Sequence, residues 1–264
     1  MERQLSKAKR IVVKVGTSTL THKTGRLNIR RVETLVKTIA DLQNAGYEMI
    51  LVSSGAVGLG MSKLGLTEKP KETPMKQACA AVGQCELMYM YDNEFSKYSI
   101  TVAQVLLTKY VLLENRRLNV ENAMEKLISH GVIPVVNEND TVAIDELELE
   151  VGENDSLAAT VASVAKADLL VIMSDIDGLY DKDPHKYDDA VLIPVVEKID
   201  DDIIALAGGA GSALGTGGMR TKIKAAQIAA EDGVSMVIMN GNDPQALYDL
   251  LNDKPVGTLF LSGK

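Results

Sequence analysis

The chain has 264 residues, 24% charged and 46% hydrophobic, the balance of an ordinary globular protein able to bury a core without disulfides or metals. Its formal net charge of −8 argues against a general nucleic-acid binder, which needs a basic face, but leaves room for an anionic substrate held by a few lysines focused into one cleft. Cys79 and Cys85 lack CxxC spacing and His22, His130 and His185 lie far apart, so no zinc, redox or structural metal centre is expected.

The polar, basic start MERQLSKAKR runs into an apolar stretch that Lys14 interrupts at once. That leaves no signal-peptide core and no membrane span, and a cytoplasmic protein is expected. RIVVKV, from Arg10 to Val15, reads as a buried strand ending at Gly16. From Asn28, an N-cap, the run IRRVETLVKTIADLQNA repeats apolar residues with helical period and stops at Gly46. YEMILVS (Tyr47 to Ser53) is the next buried strand, followed by a glycine-containing turn and a helix. Thr73 and Pro74 open another helix, proline being suited to the first helical position. Then come ITVAQVLL, a helix around Asn119 to His130 closed by Gly131, VIPVVN (Val132 to Asn137) and DLLVIMSD (Asp168 to Asp175). A long helix after Gly218, VSMVIMN (Val234 to Asn240) and a helix near Pro244 follow, and GTLFL supplies an edge strand. Strands buried on both faces and separated by helices predict an α/β fold, a three-layer α/β/α sandwich with a mainly parallel central sheet. We read it as one domain over 1–264, with lobes that meet at a cleft.

In open α/β sheets, ligands bind beyond the carboxyl ends of the strands. That rule selects KVGTS, SSGAVG, NENDTVA and SDIDGLYDKDP. Any one of these reads equally well as a turn, but four at one end of a sheet favour an anion site. A Walker loop is absent, since the only Gly-Lys pair is Gly263-Lys264, and Gly58-Leu59-Gly60 lacks the third glycine of a dinucleotide fingerprint. GTGGMRTK, Gly215 to Lys222, is the remaining phosphate device: glycines for close backbone approach, a helix N-terminus, and Lys222 in the first turns. The same run also reads as a mobile surface loop before an ordinary helix. Lys14, at the end of an apolar strand, is costly to bury without a paired charge, which favours a functional role.

KVGTSTL, VSSGAVGLG, PVVNENDTVA, GENDSLAA, SDIDGLYDKDP and GTGGMRTK occur in the order and spacing of the amino acid kinase family, which the chain resembles from Lys14 to Phe260. The set of SSGAV, NEND and GTGGM..TK is most similar to the glutamate 5-kinase branch. The resemblance implies the amino acid kinase fold, ATP with Mg²⁺, and phosphorylation of the L-glutamate side-chain carboxylate, the first step of proline synthesis. A further C-terminal RNA-modification-type (PUA) domain, common in that branch, is not expected in a chain ending at Lys264.

By the same resemblance, Lys14 and Lys222 flank the transferring phosphoryl group and Asp155 orients both. Gly16 and Thr17 bring backbone donors to the phosphates. Ser174, Asp175 and the loop Thr216, Gly217, Gly218, Met219, Arg220, Thr221, Lys222 map onto nucleotide-binding segments. Ser54, Asp140 and Asn154 map onto glutamate-binding positions, with Asp140 facing the substrate ammonium and Gly55 and Asn137 in support. Asn154 and Asp155 also read as a helix N-cap before SLAATVASVAKA. The acceptor carboxylate, with a reference pKa near ~4.3, is already an anion, so no general base is required. No residue is singled out as a direct ligand to Mg²⁺.

Two departures from the family pattern stand out. AIDELELEVG is longer and more acidic than the usual loop and reads as an exposed hairpin, in a region that borders glutamate and proline binding. Glu153 stands where an aspartate is usual. The resemblance further implies a homo-oligomer, dimer or tetramer, feedback by proline, and hand-over of the labile product to glutamyl phosphate reductase. It implies no nucleic-acid or membrane partner. Sister kinases for N-acetylglutamate or UMP, and a catalytically silent ATP- or amino-acid-binding regulator, are the competing expectations.

Overall fold

The computed structural model describes residues 4–22, 24–108, 114–142, 154–207 and 218–262. The described strands are β1 (Arg10–Val15), β2 (Glu48–Val52), β3 (Val102–Leu107), β4 (Ile133–Glu138), β5 (Leu169–Ser174), β6 (Val195–Val196), β7 (Ser235–Asn240) and β8 (Thr258–Phe260). They form one eight-stranded sheet in the order β3-β4-β2-β1-β5-β7-β8-β6. All neighbouring pairs are parallel except β7 with β8. The described helices are α1 (Thr17–Leu20), α2 (Ile29–Asn44), α3 (Ala56–Lys63), α4 (Thr73–Ser96), α5 (Glu114–Ser129), α6 (Asn154–Val164), α7 (Asp201–Leu206), α8 (Met219–Glu231) and α9 (Ala246–Leu251).

Period-2 alternation in each strand feeds two cores, one on each face of the sheet. Ile11, Val13, Val15, Leu169, Val171 and Met173 pack with α2, α4 and α9. Val12, Ile50, Val52, Leu170 and Ile172 pack with α5, α6 and α8. This is the expected α/β/α sandwich, and it explains why the strands read as continuous apolar runs rather than alternating ones. The predicted caps also hold: Asn28 Oδ1 accepts from Arg31 N at 3.2 Å, and Pro74 lies in the first turn of α4.

The edge-strand expectation for GTLFL is overturned. β8 lies inside the sheet, antiparallel to β7 on one side and parallel to β6 on the other, and the edge is β6. Two residues, Val195 and Val196, are too short to show a period, which is why β6 escapes a sequence reading. The acidic stretch AIDELELEVG and Glu153 lie outside the described residues.

Helices α3 and α4 are nearly in backbone contact. A Cβ at Gly83 would come within 1.7 Å of the Ala56 carbonyl oxygen, and one at Gly60 within 1.8 Å of the Cys79 carbonyl oxygen. The glycines therefore set how closely α3, and the Ser54-Gly55 turn leading into it, sit against α4.

Candidate active site

β4, β2, β1 and β5 are contiguous and parallel, so KVGTS, SSGAVG, NENDTVA and SDIDGLY leave the sheet from the same edge. From β1 the chain goes to β2 on one side and later to β5 on the other, which is the crevice where such sheets bind ligands.

Lys14 shares the strand face of Val12, so alternation turns it toward the layer that contains α6 and α8. There its Nζ lies 2.8 Å from Asp155 Oδ1, and Lys222 Nζ lies 3.2 Å from Asp155 Oδ2. All three residues are buried, with Asp155 fully so. Thr221 Oγ1 stands 2.9 Å from both Asp155 Oδ2 and the Gly218 carbonyl, and its single proton serves one of them at a time. Burial pushes the Asp155 carboxyl up, but the charges of Lys14 and Lys222, with hydrogen bonds from Lys14 and Thr221, outweigh it and hold the group below the ordinary carboxylate range. One carboxylate thus gathers two cations from β1 and α8, elements far apart in sequence. Asn154 and Asp155 lie inside the first turn of α6, and both spend their side chains on tertiary partners rather than on capping.

The phosphate-side residues surround this trio. Gly16 caps α1, and a Cβ there would stand 3.7 Å from Lys14 Nζ, so glycine keeps the space beside the amine clear. Gly55 has φ of 93°, and its Cβ position faces Thr17 Oγ1 at 3.6 Å, which brings the β1 and β2 turns together. Gly218, at the N-cap of the 13-residue α8, carries no side chain to satisfy the first N–H groups of that helix, a ready anion site beside Lys222. Met219 and Arg220 open the same helix. Ser174 Oγ donates to Asp175 Oδ1 at 3.1 Å at the end of β5, beside β1 in the sheet. Thr216 and Gly217 lie outside the described residues.

A second network starts one residue before Asp155. Asn154 Nδ2 lies 2.9 Å from the Ser53 carbonyl, 2.7 Å from Ser54 Oγ and 3.3 Å from Asn137 Oδ1. Asn137 Nδ2 donates to Gln84 Oε1 at 2.9 Å. Asp140 joins Gln84, Gln104, Glu138 and Thr141 around a cavity of about 400 Å³. Among the predicted acceptor residues, Ser54, Asn137 and Asn154 are therefore in direct contact, and Asp140 lines the cavity next to them.

Two residues of this network were not foreseen. Gln84 and Tyr91 both lie on the buried stripe Ala80, Gly83, Gln84, Leu87, Tyr91 of α4. A polar side chain at such a position is the available signal, since burial demands a partner. Tyr91 meets it with a 2.9 Å hydrogen bond to Ser53 Oγ. Burial pushes the Tyr91 hydroxyl well up, so it stays neutral.

The chain matches the model of the amino acid kinase family over residues 9–240. It is 52% identical to a glutamate 5-kinase of Clostridium acetobutylicum over 98% of this chain and 97% of that protein. It is 54% identical to one of Caldanaerobacter subterraneus over 97% of this chain and 68% of that longer protein. Among solved structures, carbamate kinase from Giardia lamblia bound to AMP-PNP superposes with a TM-score of 0.69 at 19% identity, covering 97% of this chain and 99% of that one. UMP kinase from Ureaplasma parvum superposes with a TM-score of 0.67 at 15% identity, with the same coverage. These two superpositions carry the fold and no more.

Proposed function

The chain belongs to the amino acid kinase family, and we propose that it transfers the γ-phosphoryl group of ATP to the side-chain carboxylate of L-glutamate, giving L-glutamate 5-phosphate and ADP, the first step of proline synthesis from glutamate. The observation that carries this reading is the buried Lys14–Asp155–Lys222 cluster, in which one carboxylate holds a cation from β1 and another from α8. Identity of 50% or more to glutamate 5-kinases over nearly the whole chain selects the acceptor.

Phosphoryl transfer asks for alignment and charge neutralisation more than covalent help. The obstacle is bringing one anion, the acceptor carboxylate, against another. Lys14 and Lys222 answer it from two sides. Asp155 fixes both amines so that they need not reorganise as charge shifts during transfer. Gly16, Thr17 and the start of α8 from Gly218 to Lys222 hold the phosphates, with Ser174 and Asp175 on the nucleotide side. Thr216 and Gly217 complete that loop by resemblance. The donor set fits a triphosphate: two buried cations, a helix N-terminus whose N-cap is a glycine, and a glycine beside the Lys14 amine. Mg²⁺, when bound with the triphosphate, would supply charge neutralisation beside Lys14 and Lys222.

On the acceptor side, Ser54 and Asn154 hold the substrate near its γ-carboxylate end, with Gly55 and Asn137 in support. Asp140 pairs with the ammonium. An acetylated amine offers Asp140 no charge, and a nucleotide phosphate would be repelled by it, which separates this reading from sister acceptors. The acyl phosphate product is labile and suits hand-over to a reductase acting on it. Proline, the end product, is the expected inhibitor, and a dimer or tetramer the expected assembly. Exposed Ile29 and Tyr89, beside a cavity between α2 and α4, favour such an assembly. Among the described residues no helix is long and apolar enough to cross a membrane; we assign the protein to the cytoplasm, where ATP is supplied.

ADP release measured with L-glutamate, N-acetyl-L-glutamate, L-aspartate, carbamate and UMP in parallel tests the assignment. Turnover with L-glutamate alone is expected. Turnover with another acceptor and none with glutamate would overturn it.

A further inference from the structure

The turn that follows β7 touches both of the turns placed on the nucleotide side. β5 and β7 run in register to their ends, where Ser174 pairs with Asn240. The next residue, Gly241, donates its backbone N–H to the Ser174 carbonyl at 2.7 Å. Asn240 reaches the same loop with its side chain. Its Oδ1 accepts from the backbone N–H of Asn242 at 2.9 Å, and because that group can only donate, oxygen and nitrogen of the amide are assigned. The remaining atom, Nδ2, donates to Asp177 Oδ1 at 2.6 Å. The loop from Ser174 to Asp177 is thus held twice from β7. Gly241 also meets the turn after β1. A Cβ on it would clash with Thr19 Oγ1 at 2.7 Å and press on Met173 Cβ at 3.2 Å and Thr19 Cγ2 at 3.3 Å. Gly241 is buried and has no positive φ, so space and not backbone conformation demands the glycine. Thr19 is itself buried and β-branched, which leaves it little room to turn aside. Its N–H donates to the Gly16 carbonyl at 3.0 Å in the first turn of α1.

We propose that Gly241 is a positioning residue for the bound nucleotide: by carrying no side chain it lets α1 seat beside the end of β5, and so fixes the spacing between Gly16 and Thr17 on one side and Ser174 and Asp175 on the other. The inference rests on the nucleotide-binding part of the reading above and deepens it. A nucleotide held by two turns binds well only if their separation is set before it arrives, since ordering them on binding subtracts from affinity. β1 and β5 are adjacent parallel strands, so their ladder fixes the strands but not the turns beyond them. Gly241 supplies that constraint, with its N–H on one turn and its bare Cα against the other. Asn240, through Asp177, holds the far side of the β5 turn. Ser54 and Asn137 lie at the ends of β2 and β4, across β1 from β7 in the sheet. A change at Gly241 should therefore reach the nucleotide and spare glutamate.

Gly241→Ala adds the one methyl group that Thr19 excludes. In the full-length chain, Kd for ATP, measured by calorimetry with Mg²⁺ and no acceptor, should rise about fivefold or more, while KM for L-glutamate at saturating ATP stays within about twofold. Thr19→Ala removes both atoms that the methyl group meets on α1. The double variant Gly241→Ala/Thr19→Ala should therefore return Kd for ATP to within about threefold of wild type. A purely structural glycine would lower Tm without this split and without this rescue. A smaller rise in Kd, an equal loss toward glutamate, or a loss that Thr19→Ala leaves in place overturns the inference. Should Gly241→Ala fail to fold, Asn240→Ala, which removes a solvent-exposed hydrogen bond, should raise Kd for ATP about threefold or more with the same glutamate control, and a smaller rise overturns the inference. Wild type that binds ATP but is inert toward glutamate would overturn the acceptor assignment and not the inference, which the Kd values still decide. Wild type that binds no ATP overturns both.

Discussion

Replacing Asp155 by asparagine keeps the shape of the side chain and removes a charge that holds both Lys14 and Lys222. At 2.8 Å and 3.2 Å, the two ion pairs correspond to attractions of about 6 and 5 kcal/mol at an effective dielectric constant of about 20, largely offset by desolvation. What the substitution exposes is the cost of two buried ammonium groups that have lost this carboxylate. Breaking a buried pair in this way costs about 3 to 5 kcal/mol, or roughly 10 °C in Tm for a chain of this size. Turnover should fall more distinctively than stability. With neither lysine oriented, kcat is expected to drop about a hundredfold to a thousandfold. KM for ATP should stay level or fall, because two cations that have lost a shared carboxylate attract a triphosphate more strongly. Steady-state kinetics with ATP varied at saturating glutamate, alongside thermal melts with and without ATP, give both readouts. ATP should also restore much of the lost Tm, since phosphate oxygens replace the missing carboxylate. A variant with a lower Tm but wild-type kcat would refute the reasoning, leaving Asp155 a purely structural ion-pair partner.

Three further outcomes are expected. The Asp155 carboxyl is held below its ordinary value, so its contribution to stability is complete above the unfolded-state pKa near ~3.9 and is lost as pH falls through the lower folded-state value; acid titration of wild type should show this increment below pH ~4 and Asp155→Asn should lack it. Asn154→Ala removes the amide shared by the Ser53 carbonyl, Ser54 Oγ and Asn137 Oδ1, and should raise KM for glutamate about tenfold while leaving KM for ATP unchanged. Gly83→Ala drives a methyl group into the Ala56 carbonyl at 1.7 Å and should lower stability in denaturant titration by about 2 kcal/mol or more, against a near-neutral result if α3 and α4 can slide apart.

The sandwich was legible because its strands are largely buried on both faces and two of its long helices carry end signals: Asn28 and Gly46 bracket α2, and Pro74 opens α4. β6 was not legible, since Val195 and Val196 owe their pairing to β8 and not to any local pattern. In the site, Lys14 announced itself as a charge in an apolar strand. Its pairing with Asp155 joins positions far apart in the sequence, and only the resemblance implied it. Gln84 lay in plain view in AAVGQC. A glutamine on a buried helical stripe signals an unmet partner, but which partner depends on the orientation of Asn137, and that is set by the backbone of β4.

The central claim is that this cluster phosphorylates a carboxylate of glutamate. Hydroxylamine trapping tests it most directly, because an acyl phosphate reacts with hydroxylamine to give a hydroxamate and a phosphate ester does not. Purified protein with ATP, Mg²⁺ and L-glutamate should form γ-glutamyl hydroxamate in step with ADP, and the product should vanish when glutamate is omitted. ADP formed with glutamate but without hydroxamate, or hydroxamate formed from aspartate and not from glutamate, would contradict the account.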